Sequence, residues 1–350
     1  MNNNQRPHEI DSIIFGVLSP EDILKISVCN VTTNKLIGEG SVYDERMGPT
    51  EGYETCVTCT LSSRECPGHF GHIELNQPIV HPLYHKMILN FLRCFCYKCS
   101  NLLVSEEQLK LWSLLKFIKK KRFMKILEKT EKISVCKQCS HPQPKFVFSA
   151  SDTTFFMICK EGKEKYRMEI TMTEIKKIFD NVKNEDVILL GLDPESIHPR
   201  NLILSIIPVL PPRSRPFIMA DNVMCDDDLT SQLCEIIKAN NHLADEGLPE
   251  PKRQKYIQTL KFRIKTLFDN SQGKARHTNG RAIKGIKERL TGDEESRVFF
   301  LLPKTGSYFI GCLVSYEDKT VETRSGNRYN YLVLYMHKAT LPNCGNPLKF

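Results

Sequence analysis

The sequence predicts an α+β protein of small mixed sheets, helical hairpins and two structural zinc sites. Three observations carry this expectation. Short runs rich in aromatic and β-branched residues alternate with stretches whose apolar residues recur at helical spacing. Cysteines gather in C-x2-C and C-x2-H pairs. The composition, 41% hydrophobic and 26% charged over 350 residues, is that of a globular chain with room for two or three cores.

A net charge of +8 tilts the chain toward acidic partners such as nucleic acid without deciding the matter. The opening "MNNNQRPHEIDSIIFGV" lacks the apolar core of a signal peptide. No run approaches the ~20 apolar residues of a membrane span. The expectation is a soluble intracellular chain with no membrane partner. In such a compartment the fourteen cysteines are poor disulfide candidates, and clustered ones serve as metal ligands.

The densest cluster is "CVTCTLSSRECPGHFGH", which reads Cys56-x2-Cys59-x6-Cys66-x2-His69. Each pair brings two ligands onto one turn, and four N/S ligands suit a tetrahedral zinc. Pro67 and Gly68 let the second pair bend back on the metal. All four positions come from one short loop, so the site is closed and structural; unrelated loop cysteines are the plain alternative. His72 is expected to be a packed or solvated histidine.

A second set reads Cys96-x2-Cys99, then Cys136-x2-Cys139, with Cys94 as an additional candidate. The insert between the pairs offers Ser105 as a helix N-cap. An apolar stripe follows at Leu111, Leu114, Leu115, Ile118, Met124, Ile126 and Leu127. A helical excursion that returns to its start would unite the pairs. Cys29, Cys159, Cys225, Cys234, Cys312 and Cys344 are isolated and read as buried hydrophobes or inert thiols.

Further along, "TTFFMICK" predicts a strand. Thr173 is the expected N-cap of a helix with Ile175, Ile178, Phe179 and Val182 on its apolar face. Pro194 and Pro199 break the next segment. "PVLPPRSRP" suits polyproline geometry, as a groove ligand or a rigid crossing segment. The aspartates of "CDDDLTSQLCEIIKANNHL" splay apart rather than converge on Mg²⁺. They fit an N-cap and first turn before Leu229, Leu233, Ile236 and Ile237. Ile257, Leu260, Ile264, Leu267 and Phe268 mark another amphipathic helix. It leads into a loop whose three glycines suggest mobility. Lys274, Arg276, Arg281, Lys284, Lys287 and Arg289 cluster there against one acid, Glu288. Phosphate contact and a solvated charge run both fit that pattern.

"YDERMGP", "CVTCTLSSRECPGHFGHIEL", "LRCFCYKCSNLL", "IIPVLPPRSRP" and "DDLTSQLCEIIKANNHL" occur in the order found in the largest subunit of multisubunit RNA polymerases. From about Ile13 to Gly292 the chain resembles that family in its eukaryotic or nucleocytoplasmic large DNA virus form. The resemblance implies the polymerase clamp, which holds template DNA and the RNA–DNA hybrid beside the second-largest and other polymerase subunits. It implies zinc at Cys56, Cys59, Cys66 and His69, and again at Cys96, Cys99, Cys136 and Cys139. Arg213 and Arg215 would face phosphate or a neighbouring subunit, residues 217–229 would form the lid, and the basic loop the rudder region. The implied segments are 1–95 clamp core, 96–140 clamp head, 141–216 scaffold, 217–292 lid to rudder, and 293–350 a divergent tail.

The family continues past Gly292 into a double-psi barrel and an aspartate triad that holds catalytic Mg²⁺. Here the tail instead shows strand-like "VFFLL", "YFIGCLVSY" and "YNYLVLYM", and a truncated or intron-interrupted product is the expectation. No D-x-D-x-D triad, P-loop or dinucleotide fingerprint occurs. The 350 residues alone should therefore not polymerise RNA, and Mg²⁺ belongs to the full-length subunit. The implied location is the nucleus or, for a viral chain, the virion or host cytoplasm. An independent zinc-dependent nucleic-acid-binding or regulatory module is the rival reading. A zinc hydrolase would need an open coordination position that neither site offers.

Overall fold

The computed structural model describes residues 16–291, apart from 51, 150–152, 162–163 and 221–222, together with four strand fragments beyond residue 310. The chain divides into two compact units, Leu75–Ser205 and the flanking Met1–Glu74 with Ile206–Phe350.

The first flank opens with α1 (Pro20–Ile26). Ser19 caps it, closes a capping box with Asp22 and is followed by proline at the first helical position. Strand β1 (Ser27–Asn30) follows and pairs in parallel with the start of β2 (Phe70–Val80), Ser27 opposite Phe70 and Asn30 opposite His72. The first cysteine loop lies between these strands. His72 is buried, and its Nδ1 meets Ser27 Oγ at 2.7 Å, so it packs rather than ligates.

In the unit Leu75–Ser205, α2 (His85–Cys94) buries Ile88, Phe91, Leu92 and Cys94 along one face. The insert folds as α3 (Glu106–Leu111), a 3₁₀ turn at Leu114–Lys116 and α4 (Lys119–Thr130). Ser105 is the N-cap, as its sequence position predicts. The single apolar stripe does not hold, because Ser113 and Lys119 both take left-handed backbone and reset the helical phase. Leu111 is 81% exposed and Ile118 70%, Met124 is exposed, and Leu109 and Phe123 are buried in their place.

An antiparallel sheet β3-β4-β5 (Lys145–Ser149, Thr154–Glu161, Glu164–Glu169) follows, with Phe146 opposite Met157 and Phe148 opposite Phe155. Helix α5 (Met172–Asp180) begins earlier than expected. Its N-cap is Thr171, whose hydroxyl accepts from the Glu174 N–H while the Glu174 carboxylate takes the Thr171 N–H. Thr173 lies inside the first turn because only Thr171 places its oxygen over the third helical amide. Phe91, Phe123 and Phe179 join α2, α4 and α5 in one aromatic core, with ring centroids 5.3 and 6.2 Å from Phe91. Burial of each ring contributes roughly 1.5–3 kcal/mol. Helix α6 (Asn184–Leu189) completes this unit.

The chain returns through β6 (Ile203–Val209), and the sheet runs in the order β1-β2-β6. The polyproline conformation is brief. Pro211 is extended, but Pro212–Ser214 form a 3₁₀ turn. After the hairpin β7-β8 (Ile218–Ala220, Val223–Cys225) come α7 (Asp228–Leu243) and α8 (Glu250–Phe268). These two helices run alongside each other, with His242 stacked on Tyr256 at 4.4 Å and Arg263 paired with Glu235 at 3.0 Å. Leu229, Leu233, Ile236 and Ile237 on one helix and Ile257, Leu260, Ile264, Leu267 and Phe268 on the other are all buried. The short helix α9 (Ile286–Thr291) follows.

In the tail, β9 (Gly311–Cys312) pairs with β12 (Met336–His337) and β10 (Thr320–Glu322) with β11 (Arg328–Asn330). The expected strand "VFFLL" lies outside the described residues. Among the described residues no helix is long and apolar enough to cross a membrane.

Candidate metal centres

Three of the four ligand pairs are built alike. The N–H of Cys56 donates to Leu61 O and that of Thr60 to Cys56 O; the turns that start at Cys96 and Cys136 repeat both bonds. Each turn closes with an antiparallel bridge, Thr55 to Ser62, Phe95 to Leu102 and Val135 to Pro142. The residue after the second cysteine, Thr60, Ser100 or Ser140, has φ near +60° in every case. A non-glycine residue there is uncommon, so the turn is held by its surroundings. The backbone so arranged aims both sulfurs of a pair to the same side.

The fourth pair uses a different turn. Gly68, at φ +83°, lets its N–H reach back to Cys66 Sγ at 3.4 Å. His69 donates its N–H to Met47 O, and its Nε2 lies 3.7 Å from Cys66 Sγ. Arg213 holds the loop from outside: its Nη1 donates to the carbonyls of Ser63, Arg64 and Cys66, the last at 2.5 Å. Arg213, expected to face phosphate or a neighbouring subunit, is an exposed residue that directs its Nη1 onto this loop. Arg215 is fully buried, donating to Leu210 O, Thr230 Oγ1 and Val42 O with its guanidinium over the Tyr43 ring. Both arginines bind carbonyls that the proline-rich turn brings within reach.

The ligand atoms of Cys56, Cys59, Cys66 and His69 all lie within 4.8 Å of one another, and so do those of Cys96, Cys99, Cys136 and Cys139. In the second set Cys96 and Cys139 sulfurs are 3.5 Å apart and Cys99 and Cys136 sulfurs 3.8 Å. Tetrahedral zinc with bonds of about 2.3 Å to sulfur separates its ligands by about 3.8 Å. Both donor sets fit zinc. Cys94 is not a ligand; its thiol is fully buried 3.8 Å from Thr130 Oγ1.

The electrostatics point the same way. Burial pushes the Cys66 thiol up to about 12, with the Cys56 and Cys59 sulfurs adding to the effect. Burial also resists ionisation of Cys56, but N–H donors of Cys59 and Thr58 hold it below its ordinary value. In the second set burial and the neighbouring sulfurs push Cys96 up to about 12. Cys99 is brought down to about 7, against its burial, by the Asn101 amide. Burial lowers His69, keeping its ring neutral with a lone pair to donate. Crowded sulfurs of which one ionises and the next resists are the donors whose remaining protons a divalent cation displaces.

The family described as RNA polymerase Rpb1, domain 1, matches residues 7–295. The chain belongs to that family. It is 35% identical over 84% of its length to a probable DNA-directed RNA polymerase II subunit RPB1 homolog of Invertebrate iridescent virus 6, covering 36% of that protein. It is 32% identical over 84% of its length to the DNA-directed RNA polymerase subunit Rpo1N of Methanocaldococcus jannaschii, covering 23% of it. It is 33% identical over 82% of its length to the DNA-directed RNA polymerase II subunit RPB1 of Euplotoides octocarinatus, covering 65% of that chain. The chain thus spans about a quarter to two thirds of these largest-subunit relatives. All eight candidate ligands fall inside the Rpb1 domain 1 match.

The basic loop of this Rpb1 domain is more ordered than its glycines suggest. The Asn270 amide, buried at the end of α8, donates to Ala275 O and Ile283 O and accepts the Ala275 N–H. Arg281 pairs with Asp228 at 2.7 Å, Lys287 with Asp269 at 2.7 Å, and Arg289 with Asp227 at 2.5 Å. Lys274, Arg276 and Lys284 are exposed, with the Arg276 guanidinium donating to Gly280 O. Asp227 is the N-cap of α7, as the sequence predicts, but its carboxylate and that of Asp228 also anchor this loop.

Proposed function

We propose that the chain is the clamp portion of a DNA-directed RNA polymerase largest subunit, and that it holds template DNA and the RNA–DNA hybrid during transcription. Supporting this is one coincidence: the Rpb1 domain 1 match runs across residues 7–295, and both four-ligand clusters lie within it. Zinc at Cys56, Cys59, Cys66 and His69 fixes the clamp core, and zinc at Cys96, Cys99, Cys136 and Cys139 fixes the clamp head. When bound, each ion supplies rigidity rather than reaction chemistry, because four protein ligands complete a tetrahedron. Nucleotidyl transfer and its Mg²⁺ belong to the full-length subunit. The second-largest subunit is the expected partner, in the nucleus or in a virion or infected cytoplasm.

Nucleic acid is gripped through the basic loop. Lys274, Arg276 and Lys284 present their charge to solvent and would contact phosphate. Arg281, Lys287 and Arg289 shape the loop through their aspartates and add field rather than direct contacts. The test is DNA affinity measured against salt. Replacing Lys274, Arg276 and Lys284 together by alanine should reduce the slope of log K on log salt by about 2–3, near 0.9 for each phosphate left without its cation. An unchanged slope, or failure of the chain to co-purify with a second-largest subunit, overturns the reading.

A further inference from the structure

The second cysteine centre is tied together by a side chain outside its ligand set. Gln143 stands between Pro142 and Pro144, which fix the backbone direction. Its Nε2 donates to Cys96 Sγ at 3.3 Å and to His141 O at 2.9 Å. Its Oε1 accepts the Tyr97 N–H at 3.1 Å, and its own N–H donates to Ser134 O at 2.8 Å. Tyr97 lies inside the Cys96–Cys99 turn, while Ser134 and His141 flank the Cys136–Cys139 turn. One amide therefore spans two turns that the sequence separates by 36 residues. The first centre has no such bridge among the described residues: there the donor to Cys66 is Gly68, within the same turn.

We propose that Gln143 is the positioning residue of the second metal centre, holding its two turns in register and steadying the Cys96 thiolate so that the metal leaves slowly. This rests on the zinc reading above. Four thiolates around a divalent cation leave two net negative charges, one more than three thiolates and a neutral histidine. An N–H donated to sulfur disperses part of that excess. The second centre thus has the greater need of an outer donor, and its ligands, coming from distant chain positions, have the greater need of a tie.

The experiment uses the full chain loaded with two zinc ions and mixed with excess chromogenic chelator. The release phase missing from Cys136→Ser identifies the second centre. Gln143→Met keeps the side-chain length without hydrogen bonds; Gln143→Glu keeps the acceptor for Tyr97 but removes the donor to Cys96. Both variants should release second-centre zinc about 10-fold faster or more, with the first-centre phase unchanged. In the Co²⁺-loaded chain, the thiolate-to-cobalt absorption band should move in both. A second-centre rate within twofold of wild type in Gln143→Glu overturns the proposal, and Gln143→Glu decides alone if Gln143→Met fails to fold. A wild-type chain that takes up no zinc overturns the underlying zinc reading instead.

Discussion

Gly68→Ala strains the first metal centre at its tightest point. Gly68 has φ +83°, and a Cβ there would stand 2.7 Å from Pro211 Cβ and 2.9 Å from Pro211 Cγ. The left-handed backbone costs alanine about 1–2 kcal/mol. The overlap adds about 1–3 kcal/mol, because a proline ring cannot rotate aside. Arg213, two residues further on, is already bonded to the same loop and opposes a backbone retreat. The expected total is about 2–5 kcal/mol by these two contributions. Gly280 provides the control: its φ is also +83°, but its Cβ would meet nothing within 4 Å. Gly280→Ala should show only the backbone part, so the difference between the variants isolates the collision with Pro211. Urea unfolding at fixed free zinc gives the energies, and a chelator assay counts the metal. Gly68→Ala should lose first-centre zinc more readily while the second centre keeps its ion. Equal stabilities for the two variants, with two zinc ions retained, would refute the packing of the "CPGH" turn against Pro211.

Three further perturbations test separate parts of the molecule. Cys56→Ser and Cys136→Ser should each lower zinc stoichiometry from two to one and unfold only their own surroundings; a wild-type value near zero with accessible reduced thiols removes both sites. Arg215→Met leaves Val42 O, Leu210 O and Thr230 Oγ1 without their buried donor and should cost about 2–5 kcal/mol in urea unfolding, whereas a loss under about 1 kcal/mol would show the site dispensable. His198 is held down to about 4 by burial and by Arg200, whose N–H groups it accepts at Nδ1. The unfolded chain then binds the extra proton first, so this contribution is intact above about pH 6.5 and is lost as pH falls toward about 4. It is worth at most about 3 kcal/mol, and His198→Gln should remove that slope from the stability profile; identical slopes would sink it.

Both four-residue ligand clusters were legible in the sequence because their signal is local: each pair sits on one turn, and residue spacing alone sets how close two sulfurs can come. Even the repeated hydroxyl residue after the second cysteine, Thr60, Ser100 and Ser140, was visible there, although its left-handed backbone was not. The helical stripes of α5, α7 and α8 were legible for the same reason. The stripe across the insert between the two cysteine pairs failed where Ser113 and Lys119, both left-handed, break the helical phase and leave Leu111 and Ile118 outside the core. Periodicity cannot register a change of phase that two φ angles make.

What the sequence hid are side chains whose partners are far along the chain. Asp227 and Asp228 look like a helix cap, and they are one, yet the same carboxylates receive Arg289 and Arg281 from more than fifty residues away. This changes the meaning of the basic loop. Six cations in sixteen residues would repel one another if all faced solvent, and three glycines would leave them mobile. Placing Arg281 and Arg289 on the start of α7 and Lys287 on Asp269 removes part of that repulsion. It also fixes the backbone that carries Lys274, Arg276 and Lys284. Ordering a loop before a ligand arrives lowers the entropy cost of binding. On the function proposed above, the internally paired cations would serve phosphate recognition by shaping the surface that carries Lys274, Arg276 and Lys284, and mutating them should weaken folding of the loop more than it changes the salt slope.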